Sequence, residues 1–206
     1  MNTTLRLIVF LMSCSILAMS PACTEKKTKV TGFLSVYTRL ERTNGSLRYI
    51  DIERLGTYSK FIVSPVRIRL YHKGKSGPDQ ETQTALTNYM HQAVVNAIRE
   101  RYMIVSQPGP GIAIVDIAIT DIEDPVQVMS SSPLASISGR GAGSVSLEAE
   151  VLDSQTYEQI GALIESQKGS RVSLKNLKKW EHVRSVMDDW AKKFRERLDE
   201  AHGDRD

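Results

Sequence analysis

A chain of 206 residues, 41% hydrophobic and 25% charged, is long enough for one ordinary globular domain and needs no disulfide framework to hold its core. Lys and Arg number 27 against 24 Asp and Glu, and the two signs are interleaved along the sequence, so the net charge of +3 marks no nucleic-acid surface. The two cysteines, Cys14 and Cys23, both lie near the N-terminus, and neither belongs to a metal or redox motif.

The N-terminal residues have the order of a secretory signal. Met1–Arg6 is polar with one positive charge, Leu7–Met19 is apolar, and Ser20-Pro21-Ala22 precedes Cys23. The apolar run is shorter than the roughly 20 residues that span a bilayer. Cys23 at the cleavage point is the expected lipidated residue, which makes residues 1–22 a lipoprotein signal peptide. Ser20-Pro21-Ala22 also has the small-x-small form, so cleavage after Ala22 without a lipid is the alternative. Cys14, after Leu11-Met12-Ser13, would leave only a stub of apolar region and ranks below Cys23. With Cys14 removed and Cys23 acylated, the mature protein would carry no free thiol. Thr24 follows the cysteine. In enterobacterial sorting an Asp there retains a lipoprotein at the inner membrane, so the outer membrane, facing the periplasm, is the expected location.

Residues 23–31 are polar and read as a tether, 32–201 as a single domain, and 202–206 as a tail. From Phe33 to Tyr58 the pattern is irregular, with a turn signal at Asn44-Gly45, and predicts an extended segment packed on the domain rather than a regular element. Phe61–Tyr71 is predicted as a half-buried strand in which Val66, Ile68 and Leu70 alternate with Arg67, Arg69 and Tyr71, and Pro65 demands an edge position or a bulge. A helix is predicted from Asp79 or Thr82 to about Tyr102, its apolar face carrying Leu86, Tyr89, Met90, Ala93, Val94, Ala97 and Ile98. Tyr102–Val105 reads as a short strand, and Gln107-Pro108-Gly109-Pro110-Gly111 as a firm break.

Ile112–Ile122 is nearly continuously apolar and predicts a central strand. Glu123–Gly143 is a long Ser-, Gly- and Pro-rich loop. Ser144–Leu152 alternates, with Val145, Leu147, Ala149 and Val151 inward and Ser146, Glu148 and Glu150 outward. Asp153–Thr156 turns into a second arm, Tyr157–Ser166, and a closing helix covers about Leu174 to Glu200, with Leu177, Val183, Val186, Met187, Trp190, Phe194 and Leu198 on its apolar face. The order strand, helix, strands, helix predicts an α+β domain: an antiparallel or mixed sheet with two long helices packed on one face.

Gly32-Phe33-Leu34-Ser35 with Tyr37 and Leu40, Arg48-Tyr49-Ile50, Tyr58 with Val63, Pro65 and Val66, Pro108-Gly109-Pro110-Gly111, Ala118-Ile119-Thr120-Asp121, Glu150 with Leu152-Asp153-Ser154 and Thr156, and Trp190-Ala191 follow one another in a recognisable order and spacing. On these residues the chain resembles a family of bacterial lipoproteins defined as a domain of unknown function (DUF3313). Tyr157 departs from it, since the family often has glycine after the threonine. The resemblance implies an envelope lipoprotein and brings no substrate, cofactor or catalytic residue.

Candidate chemistry is sparse. His72, His91, His182 and His202 have no ligand spacing, so no metal is expected. Gly139-Arg140-Gly141-Ala142-Gly143 precedes a strand rather than a helix and is no phosphate loop. Ser130-Ser131-Ser132 lacks a nucleophile elbow. Glu148 and Glu150 form a carboxylate pair on one strand face, for which a solvated or cross-strand-paired row is the simpler reading. Val126, Val128, Met129, Leu134 and Ile137 make the long loop unusually apolar, so it is the candidate partner-binding feature, with packing over the core as the alternative. The expectation is a non-catalytic binding or assembly factor of the cell envelope: no cofactor, a membrane partner through the N-terminal lipid, another envelope protein as the protein partner, and no nucleic acid. The alternative is a periplasmic hydrolase with its site under the 123–143 loop.

Overall fold

The computed structural model describes residues 30–70, 78–123, 144–168 and 180–203. Among the described residues eight strands and three helices follow in chain order: β1 (Glu41–Thr43), β2 (Ser46–Ile50), α1 (Ile52–Leu55), β3 (Lys60–Val63), β4 (Arg67–Ile68), α2 (Gln80–Ile98), β5 (Met103–Ile104), β6 (Ile112–Glu123), β7 (Ser144–Asp153), β8 (Gln159–Lys168) and α3 (Glu181–Ala201). The strands form one mixed sheet in the order β1-β2-β8-β7-β6-β3-β5, with β4 also on β6. From β1 to β6 all neighbours are antiparallel, whereas β3 and β4 run parallel to β6, and β3 parallel to β5. The parallel part follows from α2, which supplies the crossover that parallel strands require. This is the α+β fold expected from the sequence.

The two long helices share one face of the sheet. Leu86, Met90, Val94 and Ile98 of α2 and Val183, Val186, Met187, Trp190 and Leu198 of α3 are buried against Phe61, Val63, Ala113, Val115, Ile117, Ile119, Val145 and Leu147. Asp79 caps α2 by accepting the Thr82 N–H at 2.7 Å. On β6 the alternation Val115-Ile117-Ile119 jumps to Ile122 because the register shifts between Ile119 and Asp121, a bulge that returns Ile122 to the helix-covered face.

Two expectations need correction. The irregular stretch 33–58 holds a hairpin, β1–β2, and the single turn α1. Asn44 (φ 49°) and Gly45 (φ 85°) are both left-handed, the two-residue turn whose twist suits a hairpin. The strand expected over 61–71 is split at Pro65 into β3 and β4, and the ladder to β6 is kept by Ser64 N–H to Val115 O (3.0 Å) and Arg69 N–H to Ile119 O (2.9 Å). Tyr71 and Leu177 lie outside the described residues.

The ends of the domain are locked together. Asp199 of α3 accepts from Tyr102 Oη at 2.8 Å and from Arg195 Nε at 2.7 Å, and Arg195 also donates to Ala97 O at 2.9 Å. Burial raises the Asp199 pKa, but the Tyr102 and Arg195 hydrogen bonds outweigh it and hold the carboxyl below its ordinary value. Gly56, which ends α1, sits so close to α3 that a Cβ there would be driven into the carbonyl oxygen of Ala201. Gly56→Ala is therefore expected to cost about 1–3 kcal/mol, as overpacking does, and to lower the denaturation midpoint in urea.

The β7–β8 turn is fixed by side chains. Asp153 Oδ1 accepts the Gln155 and Thr156 N–H groups at 2.9 and 2.8 Å, and Oδ2 accepts the Tyr58 hydroxyl at 2.8 Å. The backbone N–H of Thr156 first, and the Tyr58 hydroxyl next, lower the Asp153 pKa to about 2. Ser154 Oγ exchanges hydrogen bonds with Gly109 N–H and O at 3.1 and 3.0 Å, tying the Pro108–Gly111 break to this turn. Tyr157 has φ 57° and is exposed, so the position where the resemblance implies glycine is one where a side chain strains the backbone. Tyr157→Gly should raise stability by about 1 kcal/mol, read as a higher thermal midpoint.

Candidate functional site

Helices cover one face of the sheet; residues 30–40 cover part of the other. This segment has no regular secondary structure, so its polar groups must find partners in the sheet beneath it. They find Glu148 and Glu150. Thr31 donates its N–H to Glu148 Oε1 at 2.7 Å, and Tyr37 donates its hydroxyl to Glu148 Oε2 at 2.5 Å. Ser35 donates both its N–H (2.9 Å) and its hydroxyl (2.7 Å) to Glu150 Oε2, and Gln159 Nε2 adds a third donor at 2.9 Å.

The two carboxylates are thus neither a solvated row nor paired across the strands with Lys or Arg. Glu148 is 0% exposed and Glu150 4%. The alternation of β7 correctly sets them on the face opposite the helices, but that face is buried here too. Their cross-strand partners on this face are Ala118 and Asp116 of β6 and Ile164 and Ala162 of β8. A small apolar cluster of Leu34, Ala162 and Ile164, flanked by Phe33, Tyr37, Leu40 and Leu47, surrounds the polar centre.

Several groups extend the docking. Gln159 Nε2 also donates to Val36 O at 3.0 Å, and Arg39 donates to Gln159 O at 3.3 Å. Arg67 of β4 stacks on the Phe33 ring, 4.5 Å from its centre, and pairs with Asp116 at 2.9 Å. Burial first, and the hydrogen bond to Glu148 next, raise the Tyr37 pKa, so its phenol stays protonated as the donor.

Such an arrangement can hold a chain segment against a sheet. An ionised carboxylate that receives two or three N–H and O–H donors is compensated for its burial. Both carboxylates spend acceptor sites on the protein's own donors, and Glu148 makes a further interaction besides. Among the described residues no group of three or more His, Cys, Asp or Glu side chains could hold a metal ion. No described helix is long and apolar enough to cross a membrane.

Sequence reasoning had set Glu148 and Glu150 side by side, and the structure keeps them so. It missed Thr31, Ser35, Tyr37 and Gln159 as their partners. Ser35, Tyr37 and Glu150 do stand among the residues that carry the family resemblance, which is a signal that could have joined them. Cys23 and the apolar loop residues Val126, Val128, Met129, Leu134 and Ile137 lie outside the described residues, as do Ser130–Ser132 and Gly139–Gly143.

The model of a family described as protein of unknown function (DUF3313) matches residues 29–194. No curated protein matches the chain. Among solved structures, the chain is similar to the PelC dodecamer from Paraburkholderia phytofirmans, with 14% identity and a TM-score of 0.47 over 74% of this chain and 95% of that one. It is also similar to a lipoprotein from Neisseria meningitidis, with 12% identity and a TM-score of 0.35 over 65% of this chain and 96% of that one.

Proposed function

The chain belongs to the DUF3313 family, and from that premise we propose that it is an exported envelope lipoprotein, anchored through Cys23, that binds or assembles other envelope components without catalysing a reaction. The observation that carries the non-catalytic reading is the use made of the paired carboxylates. Glu148 and Glu150 were the best acid–base pair in the sequence, and both are buried under residues 30–40, receiving the donors of Thr31, Ser35 and Tyr37. A general acid or base must instead lie within hydrogen-bond reach of a substrate.

Anchoring rests on the order of residues 1–24: basic, apolar, Ser20-Pro21-Ala22, Cys23. Acyl chains contribute about 0.8 kcal/mol per buried methylene, so two or more hold a protein of this size firmly. Thr24 rather than Asp after the cysteine supports the outer membrane, facing the periplasm, by the enterobacterial sorting rule.

Two measurements test the proposal. Metabolic labelling with a fatty-acid analogue should mark the wild type and not Cys23→Ala, which should appear in the soluble periplasm. Loss of label in Cys14→Ala with label retained in Cys23→Ala would assign the wrong cysteine, and fractionation of the wild type with inner-membrane markers would overturn the location. Crosslinking in intact cells followed by mass spectrometry should recover a discrete envelope protein. Hydrolysis of an envelope substrate by the purified protein, abolished in Glu150→Gln, would replace the binding reading with an enzymatic one.

A further inference from the structure

On the reading that Cys23 carries the lipid, we propose that the sheet face crossed by residues 30–40 is the surface this protein lays on its membrane, with the part around Met103, Ile62 and Ile114 in contact with the headgroup layer.

The starting point is where the chain leaves the domain. Thr31 is pinned to Glu148 on β7, and Phe33 lies under Arg67 of β4. Val30, exposed, therefore departs from the middle of this face, above β6 and β7. Only seven residue steps separate it from Cys23, which reach at most about 25 Å when fully extended. A domain of this size is about 40 Å across, taken from its expected radius of gyration of about 15 Å. To bring the helix layer to the membrane, the tether would have to run round half the circumference, roughly 60 Å. It is too short by a factor of about two. The far face of the sheet, or its rim, is what meets the lipid.

The surface there has the chemistry such contact needs. In-register pairing sets Lys60, Ile62, Met103, Ile112 and Ile114 on one face, since Lys60 pairs with both Met103 and Ile112, and Ile62 with Ile114. Met103 is 60% exposed, Lys60 is exposed, and Ile62 and Ile114 are half-buried. Arg67 stands further along the same face. Apolar side chains beside the exposed Lys60 suit the boundary of acyl chains and anionic headgroups. The tether has the same sign, with Lys26, Lys27 and Lys29 against Glu25. The outer side of α3 is different: Lys192 pairs with Glu196 and Arg197 with Glu200, the alternating ion pairs of a solvated helix. A single exposed methionine is ordinary. It shares its face with the tether exit, and the short reach of the tether selects the membrane over a second copy or another protein as its occupant.

The test uses the full-length lipoprotein reconstituted in vesicles of phosphatidylethanolamine and phosphatidylglycerol. Because acylated Cys23 leaves no other thiol after cleavage, Met103→Cys and Lys192→Cys can each carry one environment-sensitive fluorophore. Nitroxide lipids should quench the probe at residue 103 at least several-fold more than the probe at 192, and the difference should shrink in vesicles without anionic lipid. Mass spectrometry of the same samples reports the lipid on Cys23. Its absence would defeat the anchoring reading itself. With the lipid present, equal quenching at the two positions would overturn the orientation alone. Protection of residue 103 that follows protein density rather than lipid charge would assign the face to a second copy, which also overturns it.

Discussion

Trp190→Ala is expected to lower the unfolding free energy by about 3–5 kcal/mol, the range for deleting a buried aromatic side chain. Trp190 is 4% exposed in the middle of α3, among the buried residues that join both helices to the sheet. Its indole Nε1 has no hydrogen-bond partner among the described residues, so the expected loss is one of packing. A domain of this size has only about 5–15 kcal/mol in total, and the thermal midpoint should fall on the order of 10 °C. Lys192→Ala is the control. Its side chain is 76% exposed and its ion pair with Glu196, at 3.7 Å, is a surface i,i+4 contact worth a few tenths of a kcal/mol. Thermal melts of the two variants measure the difference. An unshifted midpoint for Trp190→Ala would take the helix out of the core and make Trp190 a contact for something else.

The elements with strong periodicity could be read from the sequence. In α2 the spacing of Leu86, Met90, Val94 and Ile98 names the buried face, and Asp79 marks the start. In β7 the alternation separates Leu147 from Glu148 correctly. Alternation reports which side of a sheet a residue takes and nothing about what lies over that side. Burial of Glu148 and Glu150 depends on residues more than a hundred positions away, in a segment whose hydrogen bonds go to side chains and so leave no period in the sequence. The β1–β2 hairpin was missed for a related reason: strands of three and five residues are too short for a pattern to emerge, though Asn44-Gly45 marked the turn. Pro65 announced an interruption without saying that the ladder resumes at β4. Tyr157 was noticed only as a departure from the family, and its positive φ supplies the reason glycine fits there.

Glu148→Ala should release the N-terminal segment while the sheet and helices stay folded. The substitution removes the acceptor for Thr31 N–H and for the Tyr37 hydroxyl. Hydrogen bonds to a charged group are worth about 1.5–3 kcal/mol each, so docking of residues 30–40 weakens by about 3 kcal/mol or more. Removing a buried carboxylate also relieves its desolvation, which works the other way and keeps the net loss nearer the lower figure. Because the segment lies over the sheet rather than within it, the loss appears as local opening. Amide hydrogen exchange at Thr31 and Ser35 should accelerate about 100-fold, the factor that 3 kcal/mol corresponds to, while amides of β6 and α2 keep their protection. Tyr37→Phe should give a smaller change of the same kind, because it removes one donor and leaves Thr31 bonded. Glu148→Gln should be milder still, since its amide oxygen can go on accepting the Thr31 N–H while the Tyr37 hydroxyl turns to accept from its NH2. That ordering, Ala above Phe above Gln, belongs to a docking role. A carboxylate acting as an acid or base would show the reverse signature, with Gln abolishing an activity and leaving exchange at Thr31 untouched, and unchanged exchange in Glu148→Ala would refute the docking outright.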